Sequence, residues 1–109
     1  MTEQALFILA GLARGELHGY GIARDVEELS GGRVKLTAGT LYGTLNRLAE
    51  EGLIAQTREQ ELGGRRRRYF RLTGLGETVL AEEAARLQST AAALSARAAM
   101  GADLSPRPA

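Results

Sequence analysis

The chain has 109 residues, 44% of them apolar and 25% charged, with a formal net charge of +1 at pH 7. That is the length and composition of one ordinary globular domain, and no apolar run approaches the ~20 residues a membrane helix needs. Cysteine is absent and histidine occurs once, which rules out disulfides and any thiolate or multi-histidine metal centre. No basic stretch followed by an apolar core opens the sequence, so a cytoplasmic protein with no membrane partner is expected. A domain this small buries a modest fraction of its surface, and a second subunit would help it.

Thr2 is placed to cap a first helix running to about Arg14. Within it, Ala5 to Leu12 is apolar nearly all round. A surface helix shows one apolar stripe, so this helix is expected to be buried on two sides, one towards the core and one available to a second subunit. Gly15 to Gly19 reads as a loop, with Gly15 stopping the helix. A second helix spans about Tyr20 to Leu29, with Ile22, Val26 and Leu29 on one face, and Ser30-Gly31-Gly32 ends it. Residues 33 to 36 connect onward, with Val34 and Leu36 alternating as in a short extended piece.

A third helix lies between about Thr37 and Glu51, and Leu41, Leu45 and Leu48 define its buried stripe. Opposite them lie Thr40, Gly43 and Arg47, with Tyr42, Thr44 and Asn46 on the flanks. Short polar side chains, a glycine and an arginine form a face that can approach another surface closely. Gly52 stops the helix.

Leu53 to Arg58 reads as a strand, Glu59 to Gly64 as a loop, and Arg65 to Leu72 as the return strand of a hairpin. Phe70 and Leu72 share an inward face, which leaves the arginines nearer the turn to solvent or to a ligand. Residues 58 to 71 carry six arginines against Glu59 and Glu61, so a local excess of +4 sits beside a remainder of −3. Such unevenness marks one specialised basic surface. Thirteen of the fourteen basic residues are arginine, which a GC-rich genome explains as well as selection for phosphate does; the clustering carries the weight.

Thr73 can cap a last helix from about Gly74 to Met100. Leu80, Ala84, Leu87, Ala91, Leu94 and Ala98 recur at alternating spacings of four and three, a heptad seam with large and small residues in turn. The seam is expected between subunits of a homodimer, with packing inside one chain as the alternative. Gly101 to Ala109, with Pro106 and Pro108, is expected to be a disordered tail.

The fold class is therefore mainly α with a small β-hairpin: a winged helix-turn-helix over residues 1–73 and a dimerisation helix over 74–100. In that arrangement the third helix enters the major groove of double-stranded DNA, whose base edges carry a readable code, and the hairpin reaches flanking phosphates. The expected DNA-binding residues are Thr40, Tyr42, Gly43, Thr44, Asn46 and Arg47 on the helix and Arg65, Arg66, Arg67 and Arg68 on the wing. Asn46 and Arg47 suit adenine and guanine as bidentate partners, while Tyr42 either touches a phosphate or supports the wing. Guanidinium forks suit phosphate oxygens and do not deprotonate. His18 reads as a loop histidine bonded to backbone near the second helix, and Gly19 with Gly21 is no dinucleotide loop, since no strand precedes it and the third glycine is missing. No nucleophile-and-base signature exists, the paired acids Glu27-Glu28, Glu50-Glu51 and Glu82-Glu83 fit solvated helix faces, and neither enzymatic activity nor a cofactor is expected.

Four segments in order and register make the chain resemble the PadR family of bacterial transcriptional regulators: His18-Gly19-Tyr20-Gly21-Ile22, Gly39-Thr40-Leu41-Tyr42-Gly43-Thr44-Leu45-Asn46-Arg47-Leu48, Glu51-Gly52-Leu53-Ile54, and Arg67-Arg68-Tyr69-Phe70-Arg71-Leu72-Thr73-Gly74-Leu75-Gly76. The length is similar to the family's short branch. That resemblance implies a dimer formed by a single C-terminal helix, and a repressor of transport or detoxification genes released by a small hydrophobic or aromatic effector. Two departures stand out. The family usually has proline where this chain has Gly43, and a glycine there either permits close backbone approach to DNA or loosens the helix. Tryptophan, which some short members use to stack flat drugs in a central pore, is absent. Phe7, Leu87, Ala91 and Leu94 are the apolar candidates for an effector site and imply a smaller or closed pocket. The alternative to a DNA-binding repressor is a winged-helix protein-interaction module, or a small-molecule-binding dimer that does not bind DNA.

Overall fold

The computed structural model describes the backbone of residues 1–104 and the side chains of residues 1–101. The elements are α1 (Glu3–Leu12), β1 (Leu17–His18), α2 (Gly19–Leu29), α3 (Ala38–Glu50), β2 (Ile54–Leu62), β3 (Arg65–Leu72) and α4 (Gly74–Leu104). They make a mainly helical winged helix-turn-helix whose three antiparallel strands lie in the order β1-β3-β2, followed by one long helix.

Each helix starts where its sequence offers an acceptor. Thr2 Oγ1 accepts from the Ala5 N–H at 3.1 Å and Thr37 Oγ1 from the Thr40 N–H at 3.3 Å, so both satisfy amides that lack an intrahelical partner. The core forms between the inner faces of α1, α2 and α3 and the base of the sheet. Ile8, Leu9, Leu12, Ile22, Val26, Leu45, Leu48 and Ile54 are fully enclosed, each worth about 1.5–3 kcal/mol on burial. Phe70 and Leu72 face this core from β3, as their shared parity requires.

Several boundaries differ from the sequence reading. Residues 17 and 18 lie in the expected loop, yet they form a third strand that pairs Leu17 with Phe70 and His18 with Tyr69. The expected loop from Glu59 is strand as far as Leu62, pairing rung by rung with the arginines of β3. Only Gly63 and Gly64 turn the chain, both at positive φ (57° and 78°), as a two-residue hairpin turn that matches strand twist demands. Val34 is buried without forming a strand, and Leu29 is exposed rather than on the buried face of α2. The last helix runs on to Leu104, so residues 101–104 of the expected tail are helical; the rest of that expectation falls outside the described residues.

The junction of wing, α3 and α4 is made by one threonine and one glycine. The Thr73 hydroxyl donates to the Gly52 carbonyl at 2.6 Å and accepts from the Gly76 N–H at 3.0 Å, while the Thr73 N–H donates to the Leu53 carbonyl at 3.1 Å. These bonds press the first turn of α4 onto the backbone that leaves α3. A Cβ on Gly76 would fall on the Leu53 carbonyl oxygen and lie 2.7 Å from Leu72 Cδ1. Backbone cannot swing aside as a side chain can. Gly76→Ala is therefore expected to destabilise the fold by about 1–3 kcal/mol or more, lowering the thermal midpoint by several degrees. An unchanged midpoint would show that α4 can back away from Leu53 freely.

Candidate nucleic-acid interface

Helical spacing divides α3 into two faces. Leu41, Leu45 and Leu48 are buried, and Thr44 joins them at 6% exposure. Thr44 lies three residues after Leu41 and four before Leu48, so it belongs to the core stripe and not to the flank expected of it. Its hydroxyl is withdrawn from the candidate DNA-contacting set. Thr40, Tyr42, Gly43, Asn46 and Arg47 are exposed, as expected. Neither Asn46 nor Arg47 bonds to another side chain among the described residues, so both heads are free for a partner.

The wing carries the basic cluster on a regular ladder. Glu59 faces Arg68, Gln60 faces Arg67, Glu61 faces Arg66 and Leu62 faces Arg65. Although two carboxylates lie across from arginines, none of Arg65, Arg66, Arg67 and Arg68 has a carboxylate oxygen within 4.0 Å among the described residues. Arg65, Arg66 and Arg67 are exposed and Arg68 half-buried. Arg58 differs. It sits past a bulge between Gln56 and Arg58, and Glu16 takes both bulge side chains: the Thr57 hydroxyl donates to one carboxylate oxygen at 2.6 Å and Arg58 Nε to the other at 2.8 Å. Those two bonds, the Thr57 hydroxyl first, hold the Glu16 carboxyl below the ordinary carboxylate range. Arg58 also lies 3.9 Å over the Tyr69 ring. Of the six arginines of the cluster, this is the one with an ion pair among the described residues.

Arg68 joins the wing to α3. The Arg68 guanidinium lies 5.3 Å from the Tyr42 ring centroid and 5.7 Å from that of Phe70, within reach of cation–π attraction. At its other end, Tyr42 reaches the start of α2: its hydroxyl is 2.6 Å from where a Cβ on Gly19 would lie. Only a glycine lets the tyrosine seat there. Tyr42 thus bridges α3, the wing and α2, which favours its supporting role.

His18 is the N-cap of α2, its Nδ1 accepting from the Gly21 N–H at 3.0 Å. This matches the expected backbone-bonded histidine. With Nδ1 so used, the neutral ring carries its proton on Nε2. Arg67 Nη1 at 3.3 Å then meets a donor, not an acceptor, and is not tied down by the contact. Partial burial, and then the Arg67 charge, push the His18 pKa down.

A mainly apolar groove lies between α1 and α4. Leu6, Phe7 and Ala10 of α1 and Leu80, Ala84 and Leu87 of α4 line its volume of about 420 Å³. Leu80 packs onto the core, but from Ala84 to Gly101 every residue of α4 is exposed, including Leu87 at 47% and Leu94 at 66%. Phe7 and Leu87 of the expected effector set meet in this groove; Ala91 and Leu94 lie beyond it. No helix among the described residues is long and apolar enough to cross a membrane.

The sequence alone assigned Glu16 no role, and placed Gly19 and Tyr20 only within the segment that carries the family resemblance. A two-residue strand has no periodicity to detect, and the only available signal was the glycine-tyrosine-glycine run beside the lone histidine.

A sequence model described as the transcriptional regulator PadR-like family matches residues 8–82. A relative from Streptomyces fradiae, an uncharacterized 37.1 kDa protein in transposon TN4556, is 40% identical over 83 residues, 76% of this chain but 22% of the relative. The transcriptional regulator Rv3488 of Mycobacterium tuberculosis is 36% identical over 86 residues, 79% of this chain and 77% of the relative. Among solved structures, a PadR family transcription regulator from Clostridium difficile superposes with a TM-score of 0.73 at 26% identity, covering 86% of this chain and 96% of its own. Bacillus subtilis PadR in complex with operator DNA superposes with a TM-score of 0.66 at 29% identity, covering 75% of this chain and 46% of its own.

Two outcomes follow from these side chains. Gly43 is in mid-helix with nothing within 4 Å of an added Cβ. Gly43→Ala should stabilise the fold by about 0.5–1 kcal/mol, read as a raised thermal midpoint; a lowered midpoint would show that the open helix face is filled. His18 gives a pH dependence. Its folded-state pKa is depressed, so the unfolded chain takes up a proton more readily. Stability is full above the ordinary histidine value of about 6.5 and declines as pH falls through the folded value. Thermal midpoints measured from about pH 7.5 down to about pH 5 should show this step. His18→Asn, which keeps a capping acceptor, should flatten it. The carboxylates of Glu3, Glu16 and Glu83, all pushed down, lose their contribution only at lower pH.

Proposed function

Since the chain belongs to the PadR-like family of transcriptional regulators, and is a regulator rather than an enzyme, we propose that it binds a near-palindromic operator as a homodimer and represses transcription until a small hydrophobic or aromatic effector releases it. The observation that carries the DNA reading is the pairing of two unsatisfied surfaces. Asn46 and Arg47 extend from an exposed helix face, and four wing arginines beside them have no carboxylate partner among the described residues. The solved complex of Bacillus subtilis PadR with operator DNA supports the same use of the fold.

In this reading α3 enters the major groove, where Asn46 and Arg47 read base edges, Thr40 lies at the helix start, and Gly43 lets the backbone come close. Arg65 to Arg67 hold phosphates, which supply affinity and register but little sequence information. Arg68 works mainly through Tyr42. Two-fold symmetry places the half-sites about one helical turn apart, roughly 34–36 Å. The exposed heptad positions Leu87, Ala91, Leu94 and Ala98, continuing from Leu80 and Ala84, supply the seam to the second subunit. The groove between α1 and α4 is the natural entry for an effector, acting in the cytoplasm. Such a molecule shifts the DNA-binding arrangement only through different affinity for the two dimer states.

The test is operator binding measured across salt concentrations, beginning with the protein's own upstream region. Arg66→Ala should weaken binding to every sequence and reduce the slope of log affinity against log salt by about 1. Asn46→Ala should cost about 1–3 kcal/mol at one base position and leave the slope alone. Binding that is absent at low salt, or indifferent to salt, would instead select the protein-interaction or carrier reading.

A further inference from the structure

The segment His18 to Ile22 has so far only structural duties, yet it presents the most exposed of the three tyrosines. Tyr20 is 66% exposed, against 36% for Tyr42, with Tyr69 less exposed still. A single exposed ring is ordinary on a protein surface. This one differs in how it is held. Its ring stacks on His18, 6.4 Å between centroids at 10°. His18 is fixed by the Gly21 amide and stands edge-on to Tyr69 at 5.4 Å. Tyr69 donates its hydroxyl to Gln60 at 3.1 Å and lies under Arg58, which Glu16 grips in turn. A chain of contacts through three strands therefore supports a side chain whose own hydroxyl has no partner among the described residues.

Tyr20 borders a cleft of about 420 Å³ between the start of α2 and the wing, shared with His18, Tyr42, Arg65, Arg66 and Arg67. Among the described residues no carboxylate lines it. A neutral hydroxyl donor and unpaired guanidinium groups around a space free of negative charge make a seat for an oxyanion. The Gly21 amide is already taken by His18, so the seat rests on side chains and not on the helix end.

We propose that this cleft receives one backbone phosphodiester of bound DNA, with the Tyr20 hydroxyl as its neutral donor and Arg66 or Arg67 as its cation. The proposal rests on the DNA-binding reading above and deepens it, adding α2 to α3 and the wing as a third contacting element. It also gives the 18–22 segment a use: His18 is the positioning residue that holds the Tyr20 ring.

Tyr20→Phe tests this, because it removes the hydroxyl and keeps the stacked ring. Binding should weaken about tenfold, by the same factor on operator and non-specific DNA, since phosphates carry no sequence. A neutral donor releases no counterion, so the salt slope should equal that of the wild type, unlike that of Arg66→Ala. A scan of operators with single neutral methylphosphonates should find one position whose cost is smaller in the variant than in the wild type, the difference being the lost hydroxyl contact and the remainder the arginine contact that both proteins lose. Thermal midpoint and helical circular dichroism should not change. Unaltered affinity of Tyr20→Phe, with Arg66→Ala still lowering the slope, overturns the Tyr20 contact and leaves the DNA reading standing. A reduced slope in Tyr20→Phe, or a loss confined to one base pair, overturns it as well. Wild-type protein that shows no salt-dependent DNA binding removes the reading beneath it.

Discussion

Two rungs of hydrogen-bonded backbone hold the arrangement together. Leu17 opposite Phe70 and His18 opposite Tyr69 join the start of α2 to the strand that carries the basic run. Phe70 is thereby fixed in the core on one face of β3, and Tyr69 faces His18 on the other. Because His18 also caps α2, the wing and the helix pair cannot move independently at this point. Tyr42 adds the third side, seated on Gly19 and facing Arg68. The position of every candidate contact relative to the exposed face of α3 depends on these few residues.

The same geometry decides which charges remain available. A surface ion pair contributes about 0–1 kcal/mol, so leaving arginines unpaired costs the fold little, while each unpaired one can displace counterions from a polyanion. Glu59 and Glu61 lie across the ladder from Arg68 and Arg66 without closing an ion pair. Glu16, arriving from the loop before β1, spends its two oxygens on Thr57 and Arg58 at the bulge. The acidic groups near the wing thus brace its base or lie beside its arginines, and the tip keeps a positive surface although the chain as a whole is almost neutral. Net charge was a poor guide here; local order was a good one.

Legibility in the sequence followed from how much chain each feature uses. The leucine stripe of α3, the threonine caps and the glycine pair of the hairpin repeat or punctuate over several residues, and each stands where the pattern put it. β1 uses two residues and leaves no period. The outer half of β2 reads Glu-Gln-Glu, residues with no strand preference, and takes its conformation from pairing with the arginines opposite. Thr44 was misplaced for a different reason: its polarity suggested the open face while its spacing from Leu41 and Leu48 set the closed one. Leu29 erred in the reverse sense, an apolar residue in phase with Ile22 and Val26 but beyond the reach of the core. The 18–22 segment could be matched to a family by its letters, but its cap, its stack and its cleft arise only when β3 lies alongside.

The long helix raises the remaining question of what completes the structure. α4 has 31 residues, about 46 Å at 1.5 Å per residue, and only its first turns touch the domain. Helices in water draw most of their stability from packing an apolar face, not from propensity. Leu80, Leu87 and Leu94 follow one another at heptad spacing, yet the first alone reaches the core of its own chain. The others extend a line that begins at the groove beside Phe7, and α1, apolar on both sides, forms the opposite wall of that groove. A partner helix laid along this line would cover the apolar residues of both elements at once. It would also place an effector-sized space against α1, which packs directly on α2. In the proposed reading, a molecule lodged there would act on the helix pair through α1. Release as proposed would then require no contact between effector and DNA, only two dimer packings that differ in how well they accommodate the molecule.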